Sequence, residues 1–385
     1  NTILEASSHG LKQHRLDGLK FDIGIFTNLS RDHLDYHKTY KDYLNSKLIL
    51  FKRLMKKNSY IIFDNDIDIS SKLKKISKTN NLKNLSLGST DSNLKITDHR
   101  FLKLSQKVTF LLNNKNFTFV THLIGKVQIK NILMSILAAS KSNIPMKNIV
   151  SSIKKIKPVS GRLEKIGNLK NNSIVILDYA HTPDALEVCL KNIREQFKLR
   201  KINLVFGCGG ERDKPKRKIM GRIANNYCNK IFLTDDNPRQ ESPKKIRNDI
   251  KININKKKLS EIPSRELAIK TAIRNIKSDE IVVVAGKGHE IYQEYNKKKY
   301  FSDKVCIKKS IKEKNLTLSQ NWKANIIEET LNRKLKKNKI INKATINSKT
   351  VKENNIFIGI RGKKLDGNKF ANEAIENGAS ISIID

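Results

Sequence analysis

Acid is scarce in this sequence: 37 Asp and Glu stand against 77 Lys and Arg in 385 residues, a formal net charge of +40. Cysteine is scarcer. The four, at 189, 208, 228 and 306, form no Cys-x-x-Cys pair, so neither a disulfide framework nor a zinc site is indicated, and a reducing cytoplasm is expected. Aromatic residues make up 6%, with one Trp, too few to suggest platforms for stacking bases. A basic chain raises nucleic acid as a partner. Here the charge is spread along the length and comes with many Asn and Ile residues, so no specific nucleic-acid partner is expected. No apolar run approaches a membrane span. The first residues, Asn-Thr-Ile-Leu-Glu-Ala, lack an initiator Met and read as the inside of a strand, and residues 379–385 read as a strand that stops without a turn. The expectation is a piece of a longer chain, with two or three domains.

Three short loops carry most of what is present: Gly-Cys-Gly-Gly-Glu-Arg-Asp at 207–213, Asp-Asn-Pro-Arg at 236–239 and Gly-Lys-Gly-His-Glu at 286–290. Each follows an apolar, β-rich run, at 202–206, 231–234 and 281–285. Open α/β sheets bind ligands at the carboxyl ends of such strands. The loops bring Arg212, Arg239, Lys287, His289 and Glu290. Arg pairs bidentately with carboxylates and Glu accepts from an ammonium, so the set suits a ligand with both groups. Any one loop alone reads as an ordinary charged turn. Around them, strands at 174–177, 202–206, 231–234 and 281–285 alternate with helices at 183–196, 215–227, 243–253 and 266–276. That is an open, mostly parallel sheet with helices on both faces.

Upstream, Ile-Leu-Glu-Ala-Ser-Ser-His-Gly at 3–10 reads as a short strand breaking into a small-residue turn. A second run at 21–28 leads into Asn-Leu-Ser-Arg-Asp-His-Leu-Asp-Tyr-His at 28–37, and helical spacing follows over 40–56. Two strand ends thus present acidic and imidazole groups, a plausible seat for Mg²⁺, although Asp32, His33, Asp35 and His37 taken alone read as a solvated polar turn. Residues 60–63 read as a strand, 72–83 as a basic helix or loop, and 108–112 with 117–123 as a hairpin. Residues 125–140 read as a helix with Ile129, Ile132, Leu133, Ile136 and Leu137 on its core face.

The three loops and the Glu-Ala-Ser-Ser-His-Gly-Leu segment at 5–11 resemble the Mur ligases, ATP-dependent amino-acid-adding enzymes of peptidoglycan synthesis. Asp-Asn-Pro-Arg resembles the loop of the members that add diaminopimelate. The resemblance implies a Mur ligase central ATPase domain over 1–157, a Rossmann-like C-terminal ligase domain over 158–313, and a small partial α/β substrate-binding domain over 314–385. It implies ATP and Mg²⁺ as cofactors, with UDP-N-acetylmuramoyl-dipeptide and meso-diaminopimelate as substrates of a cytoplasmic monomer. It assigns Glu5, His33 and a carbamylated Lys47 to the metal and catalytic site, and Ser7, Gln13 and Arg15 to the UDP-muramoyl-dipeptide. Asn131, Arg162, Asp178 and His181 fall to ATP. Arg212, Asp236, Asn237, Pro238, Arg239, Gly286 and Glu290 fall to diaminopimelate. Gln128 stands where the family usually has Asn. The family's phosphate loop, Gly-Thr-x-Gly-Lys-Thr, does not occur in the sequence. It is expected before Asn1, and the piece alone is expected to be inactive.

In the last region a helix is expected over 318–335, another over 368–377 with Gly378 as its C-cap, and a strand over 380–384. Asn347-Ser-Lys349 and Asn354-Asn-Ile-Phe357 resemble the Asp-Ser-Arg and Gly-Asp-Leu-Phe patterns of a Mur ligase N-terminal domain. Coming after a C-terminal domain, it would begin a second ligase, the one that adds D-alanyl-D-alanine. The other readings are an appended docking domain, a folate polyglutamate ligase of the same architecture, a non-catalytic scaffold and a basic nucleic-acid binder.

Overall fold

The computed structural model describes residues 2–29, 34–319, 328, 331, 341, 343–362 and 365–384. It divides into two compact units, residues 1–167 with 173–308 and residues 168–172 with 309–385. Among the described residues no helix is long and apolar enough to cross a membrane.

The first unit begins with α1 (Ser8–Lys12), β1 (Phe21–Phe26), α2 (Leu34–His37) and α3 (Tyr40–Ile49), then β2 (Met55–Asp64), α4 (Ser70–Thr79) and β3 (Lys83–Leu87). β4 (Leu94–Phe101), β5 (Gln106–Leu112), β6 (Lys115–Thr121), α5 (Lys126–Ala139) and α6 (Met146–Ser152) follow. The sheet runs β1-β2-β3-β4-β5-β6, parallel as far as β4 and antiparallel after it. β2 shows how both faces are filled. Alternate side chains of a strand point to opposite faces. Ile61 and Phe63 join Leu44, Leu48, Leu73 and Ile76 of α3 and α4, while Ile62 joins Leu133 and Leu137 of α5. All five residues expected on the core face of α5 are buried.

Two expectations for this part fail. No strand forms over 3–6; Ile3 is 96% exposed, and among the described residues no strand lies beside it to complete a ladder. The helix expected to reach residue 56 yields at Ile49 to a wider π turn, Leu50–Leu54, and Met55 already pairs with Phe21 in the sheet. The buried Leu50, Phe51 and Leu54 suit a helix face or a buried strand equally, so periodicity could not locate the change. The basic helix or loop expected over 72–83 is helical as far as Thr79, and Lys83 then opens β3 opposite Tyr60.

The second sheet is built from β7 (Glu164–Asn168), β8 (Ile174–Asp178), β9 (Ile202–Phe206), β10 (Lys230–Leu233), β11 (Leu259–Glu261) and β12 (Ile281–Ala285). Its order is β11-β10-β9-β12-β8-β7, with parallel pairing from β11 through β8. Every residue of β8, β9 and β12 is buried. Strands covered on both faces read as unbroken apolar runs, and these do. α7 (Pro183–Gln196), α8 (Pro215–Tyr227) and α9 (Pro243–Lys251) fill one face with Leu186, Leu190, Ile193, Met220 and Ile250. α10 (Arg265–Arg274) packs on β9, β10 and β12. Thr182 caps α7 by accepting from Ala185 N–H, with Pro183 in the first turn. A short hairpin, β13 (Tyr292–Glu294) with β14 (Lys298–Tyr300), precedes α11 (Asp303–Ser319). The two sheets share a seam: Gly125 N–H donates to Gln196 Oε1 (2.9 Å) and Val127 N–H to Asn192 Oδ1 (3.2 Å).

The second unit contains a parallel sheet of β15 (Lys343–Thr345), β16 (Asn355–Ile358) and β17 (Ala379–Ile383), with α12 (Ala371–Glu376) packed on it. Val351, Phe357, Ala374 and Ala379 form its small core, and Gly378 (φ +104°) follows α12 as its sequence suggested. The helix expected over 318–335 lies mostly outside the described residues.

Candidate functional site

The three loops meet at one edge of the second sheet. In the loop after β10, Asp236 and Asn237 are buried. The loop after β12 sends Lys287 inward, fully buried. Its Nζ donates to Asn237 Oδ1 (2.9 Å) and Glu290 Oε2 (2.9 Å) and lies 3.9 Å from Asp236 Oδ1. Asn237 Nδ2 also donates to Glu290 Oε2 (3.2 Å), and Glu294 N–H donates to Asn237 Oδ1 (2.9 Å). Gly286 sits at φ +114°, and a Cβ there would meet Asp236 Oδ2 at 2.6 Å.

Arg239 takes the left-handed backbone (φ 54°), strained for a side-chain-bearing residue by ~1–3 kcal/mol. Its Nη1 donates to the Gly210 carbonyl (2.7 Å), and its Nε lies 3.4 Å from the Glu294 carboxylate. The carbonyl of Pro238 lies against Gly210, leaving no room for a side chain there. Arg212 is exposed on the first loop. Beneath, buried Arg217 binds Glu241 through both Nη atoms (2.7 Å each), reaches Asp249 (3.0 Å) and donates to the Gly209 carbonyl (3.3 Å). Glu241 in turn accepts from Glu211 N–H (3.1 Å), and the Arg217 hydrogen bonds hold its carboxyl down at about 2. At the back, Arg265 forms a fork to Asp303 (2.8 and 2.7 Å), both side chains fully buried, and donates to the Ala285 carbonyl (2.9 Å).

A second group adjoins the first. Asp178, at the end of β8, accepts from Leu163 N–H (2.7 Å) and Ala180 N–H (2.8 Å). Burial raises its carboxyl; those two N–H groups and Arg162 oppose the rise. The Arg162 guanidinium stacks 4.6 Å from the Tyr179 ring centroid. His181 Nδ1 donates to the Tyr179 carbonyl (2.9 Å), which leaves Nε2 as the outward nitrogen. Tyr179 hydroxyl reaches Glu290 Oε1 (3.5 Å), tying this group to the three loops; burial and then Glu290 raise its phenol. Gly161, at φ +71°, lies against Gly288, where a Cβ would stand 2.5 Å from backbone. Gln128 Nε2 comes within 3.5 Å of the Arg162 carbonyl, and Asn131 is exposed one turn further along α5.

The third group is open. Glu5 and Ser7 are exposed on the coil before α1, and Ser7 Oγ caps that helix, accepting from Gly10 N–H (3.1 Å). Gln13 and Arg15 are exposed just after it. Lys47 Nζ donates to the Asn28 carbonyl (3.0 Å) after β1 and stands over the Tyr43 and Phe26 rings (5.0 and 5.8 Å). His33 lies outside the described residues. His37, in the run expected to be a Mg²⁺ seat or a solvated polar turn, is fully buried. Its Nε2 instead meets Ser8 Oγ (2.9 Å), and its Nδ1 is 3.4 Å from Ser46 Oγ.

The sequence placed Arg212, Asp236, Asn237, Pro238, Arg239, Gly286 and Glu290 in one pocket. All seven lie on the three converging loops, and the last six are linked by the contacts above. It passed over Tyr179, Glu294, Arg265 and Asp303, and gave no sign that Lys287 is buried. The short β13–β14 hairpin that delivers Glu294 has no strong strand signal.

Residues 1–139 match the Mur ligase middle domain, residues 161–288 the Mur ligase glutamate ligase domain, and residues 341–385 the Mur ligase family catalytic domain. The chain belongs to the Mur ligase family. It is 42% identical over 313 residues to the UDP-N-acetylmuramoyl-L-alanyl-D-glutamate--2,6-diaminopimelate ligase of Rickettsia rickettsii, covering 80% of this chain and 64% of that protein. A solved structure of a UDP-N-acetylmuramoyl-L-alanyl-D-glutamate--2,6-diaminopimelate ligase aligns with a TM-score of 0.56 at 33% identity, over 80% of this chain and 63% of the other. The MurF ligase of Thermotoga maritima in complex with ADP shares the fold, with a TM-score of 0.57 at 16% identity over 78% and 63% of the two chains. The chain thus spans less than two thirds of the length of these relatives.

Proposed function

We propose that this chain is part of an ATP-dependent ligase that adds meso-diaminopimelate to UDP-N-acetylmuramoyl-L-alanyl-D-glutamate. The observation that carries the reading is the loop cluster on the second sheet, where two acids, an amide and Arg239 converge within one hydrogen-bonded network. Diaminopimelate has two zwitterionic ends. Asp236 and Glu290 accept from ammonium groups, and Arg239 with Arg212 takes the distal carboxylate. L-lysine lacks that carboxylate and leaves Arg239 unmatched. Sites whose polar groups are left unpaired discriminate by as much as ~10⁴. The 42% identity to a ligase named for this reaction supports the assignment.

The chemistry follows from the groups. The γ-phosphoryl group of ATP passes to the γ-carboxylate oxygen of the D-glutamyl residue, leaving ADP and an acyl phosphate. The free amine of diaminopimelate attacks the acyl carbon, loses a proton, and inorganic phosphate leaves as the amide forms. Asn131, Arg162, Asp178 and His181 form the nucleotide side. Ser7, Gln13 and Arg15 hold the UDP-muramoyl-dipeptide. The donor set at Glu5, His33 and Lys47 fits a hard divalent cation only with Lys47 carbamylated, since the free ammonium repels a cation and a carbamate offers it oxygens. Mg²⁺ there would neutralise charge on the transferring phosphoryl group.

The second unit is proposed to be the start of a second Mur ligase, the one that adds D-alanyl-D-alanine. Its match to the family over residues 341–385 supports that reading, and a phosphate-loop sequence downstream of Asp385 in the parent gene is the observation it requires. For the first activity, the full-length parent protein is assayed for phosphate release with UDP-muramoyl-dipeptide, MgATP and either meso-diaminopimelate or L-lysine. Release with diaminopimelate alone is expected. Release with lysine would overturn the role of Arg239, and release with neither would remove the ligase reading.

A further inference from the structure

The reading above leaves Lys287, at the centre of the charged network, without a task. Its side chain has no exposure at all, although an ammonium is among the most strongly hydrated groups a protein carries. Burying such a charge costs several kcal/mol unless acceptors surround it. The acceptors are the pocket's own: Asn237 Oδ1 and Glu290 Oε2 at 2.9 Å and Asp236 Oδ1 at 3.9 Å, with the Tyr292 ring centroid at 5.3 Å. Lys287 reaches no solvent and so offers nothing to an incoming carboxylate. It acts inward.

Two consequences follow from the geometry. First, Asn237 is held in one orientation. Its Oδ1 receives Lys287 Nζ and Glu294 N–H, which turns its Nδ2 onto Glu290 Oε2. Glu290 Oε2 is then fully engaged, and Oε1, facing the Tyr179 hydroxyl, is the oxygen left for a ligand ammonium. Second, the ammonium cancels one of two carboxylate charges. Asp236, Glu290 and Asp303 carry −3, which Arg265, 3.9 Å from Asp236 and paired with Asp303, offsets to −2; with Lys287 the group carries −1. A pocket of −1 beside Arg239 matches a zwitterionic end. A pocket of −2 favours a plain cation.

We infer that Lys287 is a positioning residue that sets both the aim of Glu290 and the charge of the pocket, and so selects a zwitterionic amino-acid end over a simple amine. This rests on the proposed function. The test uses the full-length parent protein as wild type, Lys287→Met and Lys287→Gln, with phosphate release followed against each substrate. Truncating one partner of a buried charged pair costs about 2–5 kcal/mol, so Lys287→Met is expected to raise KM for meso-diaminopimelate by ~30-fold or more. KM for ATP and for UDP-muramoyl-dipeptide should stay within about twofold, as neither is proposed to contact Lys287, Asn237 or Asp236. The ratio of kcat/KM for diaminopimelate over L-lysine should fall by at least about tenfold, in line with one lost charge contact. Lys287→Gln, which keeps a donor without the charge, should recover part of the KM but not the ratio. An unchanged diaminopimelate KM overturns the inference, as does a parallel rise in all three KM values or a failure of both variants to fold. If the wild type itself releases no phosphate with diaminopimelate, the functional reading falls, and the inference falls with it.

Discussion

The loops after β9, β10 and β12 and the segment around Glu5 and Lys47 belong to the same compact unit, yet they are built in opposite ways. In the first, Asp236, Asn237 and Lys287 are buried, and the charged groups already have partners within 4 Å. In the second, Glu5, Ser7, Gln13 and Arg15 are exposed, and Lys47 rests on a carbonyl and two aromatic faces. The difference follows from what each must recognise on the proposed reading. An amino acid is small and is told from its near relatives by a few groups, which demands donors and acceptors fixed in advance. A phosphoryl-transfer site must admit a large anionic substrate and a nucleotide, and a set that closes only around its ligands suits that.

Substitutions can break this contrast from either side. The largest effect is expected at Arg239. Arg239→Ala should lower kcat/KM for meso-diaminopimelate by ~10²–10⁴ while KM for ATP changes little, since the lost partner is a carboxylate that only the amino acid brings. Steady-state kinetics with each substrate varied in turn reads this directly, and equal losses for both would remove Arg239 from the amino-acid site. At the open side, Lys47→Ala should lower kcat by about 10²–10³, the usual loss when one charge-stabilising group of a transfer site is removed. The melting temperature should fall only modestly, because Lys47 gives up one carbonyl hydrogen bond and its contacts with the Tyr43 and Phe26 rings. Full kcat in Lys47→Ala would detach this lysine from the reaction.

The smallest effect concerns the floor of the closed pocket. Glu241, held at about 2 by Arg217, has a folded value below its ordinary value of 4.5. It therefore contributes stability that is fully present above pH 4.5 and is lost as the pH falls toward 2. Denaturant titrations between pH 6 and pH 2.5 should show Glu241→Gln less stable than wild type at pH 6 and the gap closing at the acid end. A gap that stays constant with pH would mean that the Arg217 contact is not what depresses Glu241.

The same contrast explains what the sequence could reveal. The central strands of the second sheet were legible because burial on both faces leaves unbroken apolar runs, and α7 because Thr182 and Pro183 mark its first turn. β3, β4 and the β13–β14 hairpin were not. Lys83 and Asn84 of β3 are exposed, and Tyr292–Glu294 is three residues of mixed character. Within the pocket, the Asp-Asn-Pro-Arg and Gly-Lys-Gly-His-Glu loops announce themselves by Gly, Pro and charge. The burial of Lys287 and the Arg265–Asp303 fork stayed hidden. One lysine among 77 basic residues carries no local mark of being enclosed, and a partner 38 positions away leaves no periodic trace. Lys47 was singled out by resemblance alone.

Gly161 against Gly288 joins the Arg162–Asp178 group to the three loops, beside the Tyr179–Glu290 contact. Two main chains meet there with no side chain between them, one beside Arg162 and the other between Lys287 and His289. Tyr179 is wedged alongside, its Cβ 2.8 Å from where a Gly288 side chain would begin. Such a junction behaves as a keyed joint rather than a cushion. On the proposed reading, the nucleotide-side loop and the amino-acid-side loop share one seat, so a displacement of either is transmitted to the other at backbone stiffness, and both binding geometries would be set against a common datum.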